Sequence, residues 1–120
     1  MPSTTTFRDG QVVVVNVPFT GQSGSKHRPA LVVSVEALHG RIPDVIVCPI
    51  SSQPRFYDHP GPGDVPLRQW RTLGLRYPST ARISNVLAVE KKLIRRIIGT
   101  LATDDKARVQ QGLRDAFGLG

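Results

Sequence analysis

The sequence predicts a mostly β, α+β domain that ends in a single α-helix. Short runs rich in Val and Ile, punctuated by Gly and Pro, fill the first hundred residues, which is the pattern of short strands. Helical periodicity is confined to the end of the chain. At 120 residues the chain is long enough for one core and too short for two. A single domain over 1–120 is therefore expected, with 1–7 flexible.

Strands are expected over 11–17, 30–35, 44–50, 64–67, 81–86 and 95–101, each an apolar run bounded by turn residues. Thr103 is placed to N-cap the helix, with Asp104 and Asp105 in its first turn at the positive end of the dipole. Val109, Leu113, Ala116 and Phe117 then form one apolar face to lay on the sheet. Gly112 weakens that helix by about 1 kcal/mol relative to alanine, and Gly118 is a natural stop. A shorter helical turn is expected at Glu90-Lys91-Lys92. Two long loops remain, over 20–27 and 51–63. The second, with Pro54, Pro60, Gly61, Pro62 and Gly63, reads either as a binding lid or as a disordered segment.

Charge narrows the function. Sixteen Lys and Arg against nine Asp and Glu give +7, which favours polyanions or an acidic protein partner. No segment approaches the roughly 20 apolar residues that cross a bilayer, so a cytoplasmic protein with no membrane role is expected. The lone Cys48 excludes an internal disulfide and a multi-thiolate zinc site. Between Val47 and Pro49 it reads as a buried structural thiol. His27, His39 and His59 lack metal-ligand spacing, and no metal or cofactor is expected.

The run Lys26-His27-Arg28-Pro29-Ala30-Leu31-Val32-Val33 delivers a basic cluster into an apolar strand. The proline locks the junction, which predicts a fixed guanidinium suited to bidentate phosphate recognition. If 30–35 pairs antiparallel with 44–50 through the turn at His39 and Gly40, Arg28 comes level with Ser51 and Ser52. Both long loops open at that end. An arginine fork and a hydroxyl can hold a phosphodiester and stabilise the extra charge of five-coordinate phosphorus. His27 could act as acid or base, although adjacent residues of a strand point to opposite sides. Arg55, Phe56 and Tyr57 could bind phosphate and stack on bases, or the rings could pack on the sheet. Trp70 among Arg68, Arg71 and Arg76 reads as core with snorkelling arginines, or as a groove lining.

Asp9-Gly10-Gln11-Val12-Val13-Val14-Val15, Pro18-Phe19-Thr20, the Arg28-Pro29 strand opening, Val45 to Ser52 and Gly74 to Arg82 together resemble the MazF/PemK-like toxins of toxin–antitoxin modules. The likeness runs in order over 8–119. It implies a small SH3-like barrel of the CcdB/MazF type with a C-terminal α-helix, usually a homodimer. It further implies metal-independent cleavage of single-stranded RNA, in which the 2′-hydroxyl attacks the adjacent phosphate to leave 2′,3′-cyclic phosphate and 5′-hydroxyl ends. An antitoxin with an acidic tail is the implied protein partner.

By the same resemblance Arg28 matches the catalytic arginine, Ser51 a position where threonine is commoner, and Arg82 a second basic residue. Arginine stays protonated, so charge stabilisation is the favoured role for Arg82. The expected catalytic set is Arg28, Ser51, Arg82 and His27, with Lys26, Ser52, Arg55, Phe56, Tyr57 and Ser84 binding RNA. Ser84 stands where many members carry an aspartate, Leu87-Ala88 replaces a basic residue followed by Thr or Ser, and Gln11 replaces an acidic one. The 20–27 loop also lacks the glutamate that some members carry. A non-catalytic alternative is a CcdB-like gyrase poison, or an RNA- or antitoxin-binding module with a decayed site.

Overall fold

A computed structural model of the chain describes residues 6–18 and 25–120. In chain order it contains β1 (Gln11–Pro18), β2 (Ser25–Val32), α1 (Glu36–His39), β3 (Asp44–Ser51), α2 (Pro54–Asp58), β4 (Asp64–Leu67), β5 (Ser79–Arg82), β6 (Leu87–Glu90), β7 (Ile94–Thr100) and α3 (Thr103–Phe117). Single 3-10 turns lie at Trp70–Leu73, Ile83–Asn85 and Lys91–Leu93. Every ladder is antiparallel, in the order β4-β5-β3-β2-β1-β7, with β6 also on β3. The mostly β architecture and the C-terminal helix are as the sequence predicts.

Alternation along the strands supplies two cores. Val12, Leu31, Cys48 and Ile50 face one side with Val109 of α3, while Val13, Val15, Val32, Val45 and Val47 face the other with Phe7. Adjacent residues of a strand point to opposite faces, so burial of both faces requires the near-continuous apolar runs seen in β1 and β3. The hydrogen-bonded ladder stays open, because β4 and β7 are its ends. The 3-10 turn at Trp70–Leu73 bridges the gap by packing on β7. A Cβ at Gly99 would lie 3.2 Å from the Leu73 Cα.

Several expectations are corrected. β2 begins at Ser25 and ends at Val32, so Arg28 lies inside the strand and not at its entrance. β1 runs on to Pro18 and keeps β2 paired through Ser25. The strand stops early because Ser34 Oγ accepts the Ile46 N–H at 2.9 Å and contacts His39 Nε2 at 2.5 Å, a side-chain substitute for the ladder. The turn expected at His39 and Gly40 is the short helix α1, with His39 buried and its Nδ1 donating to the Phe7 carbonyl at 2.8 Å. That bond and its burial make Phe7 part of the core, although it was expected in the flexible N-terminus. Residues 1–5 and the 20–24 part of the first loop lie outside the described residues.

The strand expected over 81–86 is β5 followed by a 3-10 turn, and β6 follows it unforeseen. β3 is long enough to serve both: Ile50 and Ser51 pair with β5, while Asp44 to Val47 pair with β6. The intervening chain must turn a corner, closed by Val86 N–H to the Ile83 carbonyl at 3.1 Å. The 51–63 loop contains α2, and the Glu90 turn is the 3-10 segment Lys91–Leu93.

α3 begins at Thr103 itself, with Ala102 in the cap position and no side-chain cap. Asp105 does not merely face the dipole. It is fully buried and accepts the Arg68 and Gln69 N–H groups at 3.1 and 2.9 Å, with Arg108 paired to it. Val109 and Leu113 reach the core, but Ala116 and Phe117 are exposed, so the apolar face is shorter than predicted. Gly118 adopts φ +67 and closes the helix, with Leu119 N–H to the Arg114 carbonyl and Gly118 N–H to Asp115, a Schellman stop. Among the described residues no helix is long and apolar enough to cross a membrane.

Candidate active site

The β2–β3 ladder pairs Ala30 with Pro49, Leu31 with Cys48 and Val32 with Val47. Continued by two residues, that register sets Arg28 level with Ser51. Before Ala30, β2 pairs with β1 alone, Val15 opposite Arg28, and Pro29 has no N–H to extend the ladder toward β3. Where that ladder stops, a cleft of about 520 Å³ opens.

Several segments supply its wall. β2 contributes Arg28, the end of β3 and the residue after it contribute Ser51 and Ser52, and α2 contributes Arg55 and Phe56. The segment before β5 contributes Arg76 and Tyr77, and β5 itself Arg82. Among the described residues Arg28, Arg55, Arg76 and Arg82 line the cleft and no carboxylate does, so its wall is predominantly positive. Ser51 Oγ accepts the Gln53 N–H at 3.2 Å, which leaves its own proton to donate.

Arg82 is held by two partners. Its Nε donates to Asp64 Oδ1 at 3.0 Å, and Asp64 Oδ2 accepts the Gly61 N–H at 3.0 Å. The guanidinium also sits 3.7 Å from the Phe56 ring centroid, with Arg55 at 4.6 Å from the same centroid. The Asp64 side chain is only 4% exposed and that of Arg82 25%, so the pair operates partly out of water. With Nε committed, the two terminal nitrogens of Arg82 remain for an oxyanion.

Gly63 fits this arrangement tightly. It adopts φ +82, and a Cβ there would lie 3.1 Å from Ser84 N, while its carbonyl accepts the Ile83 N–H at 2.7 Å. Cys48 is fully buried behind the cleft. Burial pushes its thiol up to about 12, opposed by Arg82 and reinforced by Asp64. It is therefore a neutral thiol near pH 7, with no thiolate to act as nucleophile.

Of the residues singled out in the sequence, Arg28, Ser51, Ser52, Arg55, Phe56 and Arg82 meet at the cleft. Four do not line it. Lys26 and His27 are exposed on β2, where His27, next to Arg28, projects from the opposite face. Tyr57 is half-buried on α2, and Ser84 is exposed in a 3-10 turn. Trp70 packs partly buried against the core with Arg71 over its ring, and only Arg76 of its basic neighbours reaches the cleft. Among the described residues no three His, Cys, Asp or Glu are grouped to hold a metal ion.

Asp64, Tyr77, Gln53 and Asn85 were missed. Asp64 reads as an ordinary strand residue until β4 and β5 pair it with Arg82. Tyr77, between an arginine and a proline just before a strand, carried the one available signal.

Solved structures share this architecture. MazE-MazF (Form-III) from Deinococcus radiodurans is 26% identical, with TM-score 0.75, over 97% of this chain and 100% of that one. An endoribonuclease in complex with its cognate antitoxin from Mycobacterial species is 18% identical, with TM-score 0.75, over 94% and 96%. Mycobacterium tuberculosis toxin MazF-mt6 is 21% identical, with TM-score 0.69, over 90% and 98%. A comparison with curated proteins finds no match. The sequence itself matches one family description across residues 8–117: the chain belongs to the PemK-like, MazF-like toxins of type II toxin–antitoxin systems.

Proposed function

We propose that the protein is an endoribonuclease that cleaves single-stranded RNA without a metal. The observation that carries this reading is that Arg28 of β2 and Ser51 of β3 both line a cleft that Arg55, Arg76 and Arg82 also line. The ribose 2′-oxygen attacks the adjacent phosphorus as the bond to the 5′-oxygen breaks, leaving a 2′,3′-cyclic phosphate and a 5′-hydroxyl. Charge builds on the non-bridging oxygens, where Arg28, Arg82 and the Ser51 hydroxyl supply preorganised donors. Among the described residues no carboxylate or imidazole lines the cleft; in this reading solvent takes the proton of the attacking 2′-hydroxyl and returns one to the departing 5′-oxygen, with His27, on the opposite face of β2, outside the step. A gyrase poison acting through its helix has no use for such a cleft.

The implied protein partner is an antitoxin whose acidic tail competes for the same arginines. The net charge of +7 and the structures of relatives bound to MazE or to a cognate antitoxin support it, and a homodimer is the assembly proposed. Incubating the protein with labelled RNA in EDTA tests the reading. The parent should cleave, and Arg28→Ala and Ser51→Ala should each lose about 100-fold or more, the range for removing a transition-state donor. RNA left intact by a folded parent that binds it overturns the proposal.

A further inference from the structure

We propose that Tyr77 is the platform on which a nucleobase flanking the scissile phosphate stacks, an assignment that rests on reading the cleft as a single-stranded RNA site. Among the described residues lining the cleft, the aromatic side chains are Phe56 and Tyr77. Phe56 is half-buried and its ring is already engaged by Arg82 at 3.7 Å and Arg55 at 4.6 Å. A ring held that way orders phosphate-binding arginines and has little open face for a base.

Tyr77 is the opposite case. It is 62% exposed, yet its backbone is fixed, because the buried Ser79 donates its hydroxyl to the Tyr77 carbonyl at 2.7 Å. Pro78 between them restricts the chain further. A ring on a fixed mount loses little freedom when a base covers it. Arg76 beside it also lines the cleft and can meet the phosphate of the same nucleotide. Every base has a π-face, so the contact would hold the strand without strong sequence preference. Phe56 thus serves phosphate and Tyr77 serves base.

The test uses a mixed-sequence 2′-O-methyl RNA oligomer, which cannot undergo 2′-attack, and an abasic oligomer with the same backbone. The parent and Tyr77→Phe should bind the base-bearing oligomer about 5- to 150-fold more tightly than Tyr77→Ala, the span of one base–aromatic stack. All three should bind the abasic oligomer alike. Parental affinity in Tyr77→Ala, an equal loss on both oligomers, or no binding of the base-bearing oligomer by the parent overturns the assignment. Because neither oligomer is cleaved, a parent that fails on ordinary RNA but shows the Tyr77-dependent difference sinks the nuclease reading and leaves the stack standing.

Discussion

Asp64→Ala removes the carboxylate that holds Arg82, and the structure sets the size of the effect. Two bonds are lost, from Arg82 Nε and from the Gly61 N–H. Hydrogen bonds to a charged group contribute about 1.5–3 kcal/mol each, and the 25% exposure of the Arg82 side chain moves the total to the low end, about 3–4 kcal/mol. Arg82 then keeps only its stack on Phe56. A displacement of about 1 Å at a charge-stabilising group costs on the order of 100-fold, so kcat should fall about 10- to 100-fold with a smaller change in KM. Asp64→Asn keeps one oxygen for Arg82 but offers no second acceptor to Gly61, and a loss of about 3- to 10-fold is expected for a single misaligned bond. Steady-state cleavage of a labelled RNA, with circular dichroism to establish folding, measures both. A folded Asp64→Ala with kcat within twofold of the parent would refute the claim that Asp64 positions Arg82, as would equal losses in the two variants.

Two further predictions concern the frame of the cleft. Asp105→Ala leaves the Arg68 and Gln69 N–H groups and the Arg108 guanidinium without their buried acceptor; breaking such a pair costs about 3–5 kcal/mol, measurable as a lowered urea midpoint at unchanged slope. Cys48 has a folded pKa of about 12 against 9.0, so the folded state holds this proton more tightly than the unfolded state does. Its contribution to stability is complete below pH 9 and is lost as pH rises toward 12. Thiol-reagent labelling at pH 8 should therefore proceed only through unfolding, and labelling at the rate of a free thiol would contradict it.

The strands that form the site were legible where both faces are buried. Runs such as Val12 to Val15 and Val45 to Cys48 leave no alternative to a strand packed on two sides, and pairing about the intervening turn was enough to put Arg28 beside Ser51. The corner between β5 and β6 was not legible, because it depends on β3 being shared along its length by two partners. Gly112 shows the same limit. Its helix penalty is visible in sequence, but its reason is a neighbour: a Cβ there would lie 2.6 Å from Ile83 Cδ1 and 3.3 Å from Val65 Cγ2. Asp105 and Asp64 were hidden likewise, since a carboxylate that accepts bonds from residues 37 and 18 positions away carries no local signature. The candidates that do not line the cleft lie away from it for a simpler reason. Strand alternation separates His27 from Arg28, and α2 separates Phe56 from Tyr57.

The most direct measurement of the central claim is the chemistry of the new ends. RNA cut by the parent in EDTA should carry 5′-hydroxyls that accept phosphate from a kinase without prior phosphatase treatment, with 2′,3′-cyclic phosphate on the upstream fragment by mass, and Arg28→Ala should yield neither. Fragments bearing 5′-phosphates, or cyclic ends produced equally by Arg28→Ala, would contradict the account.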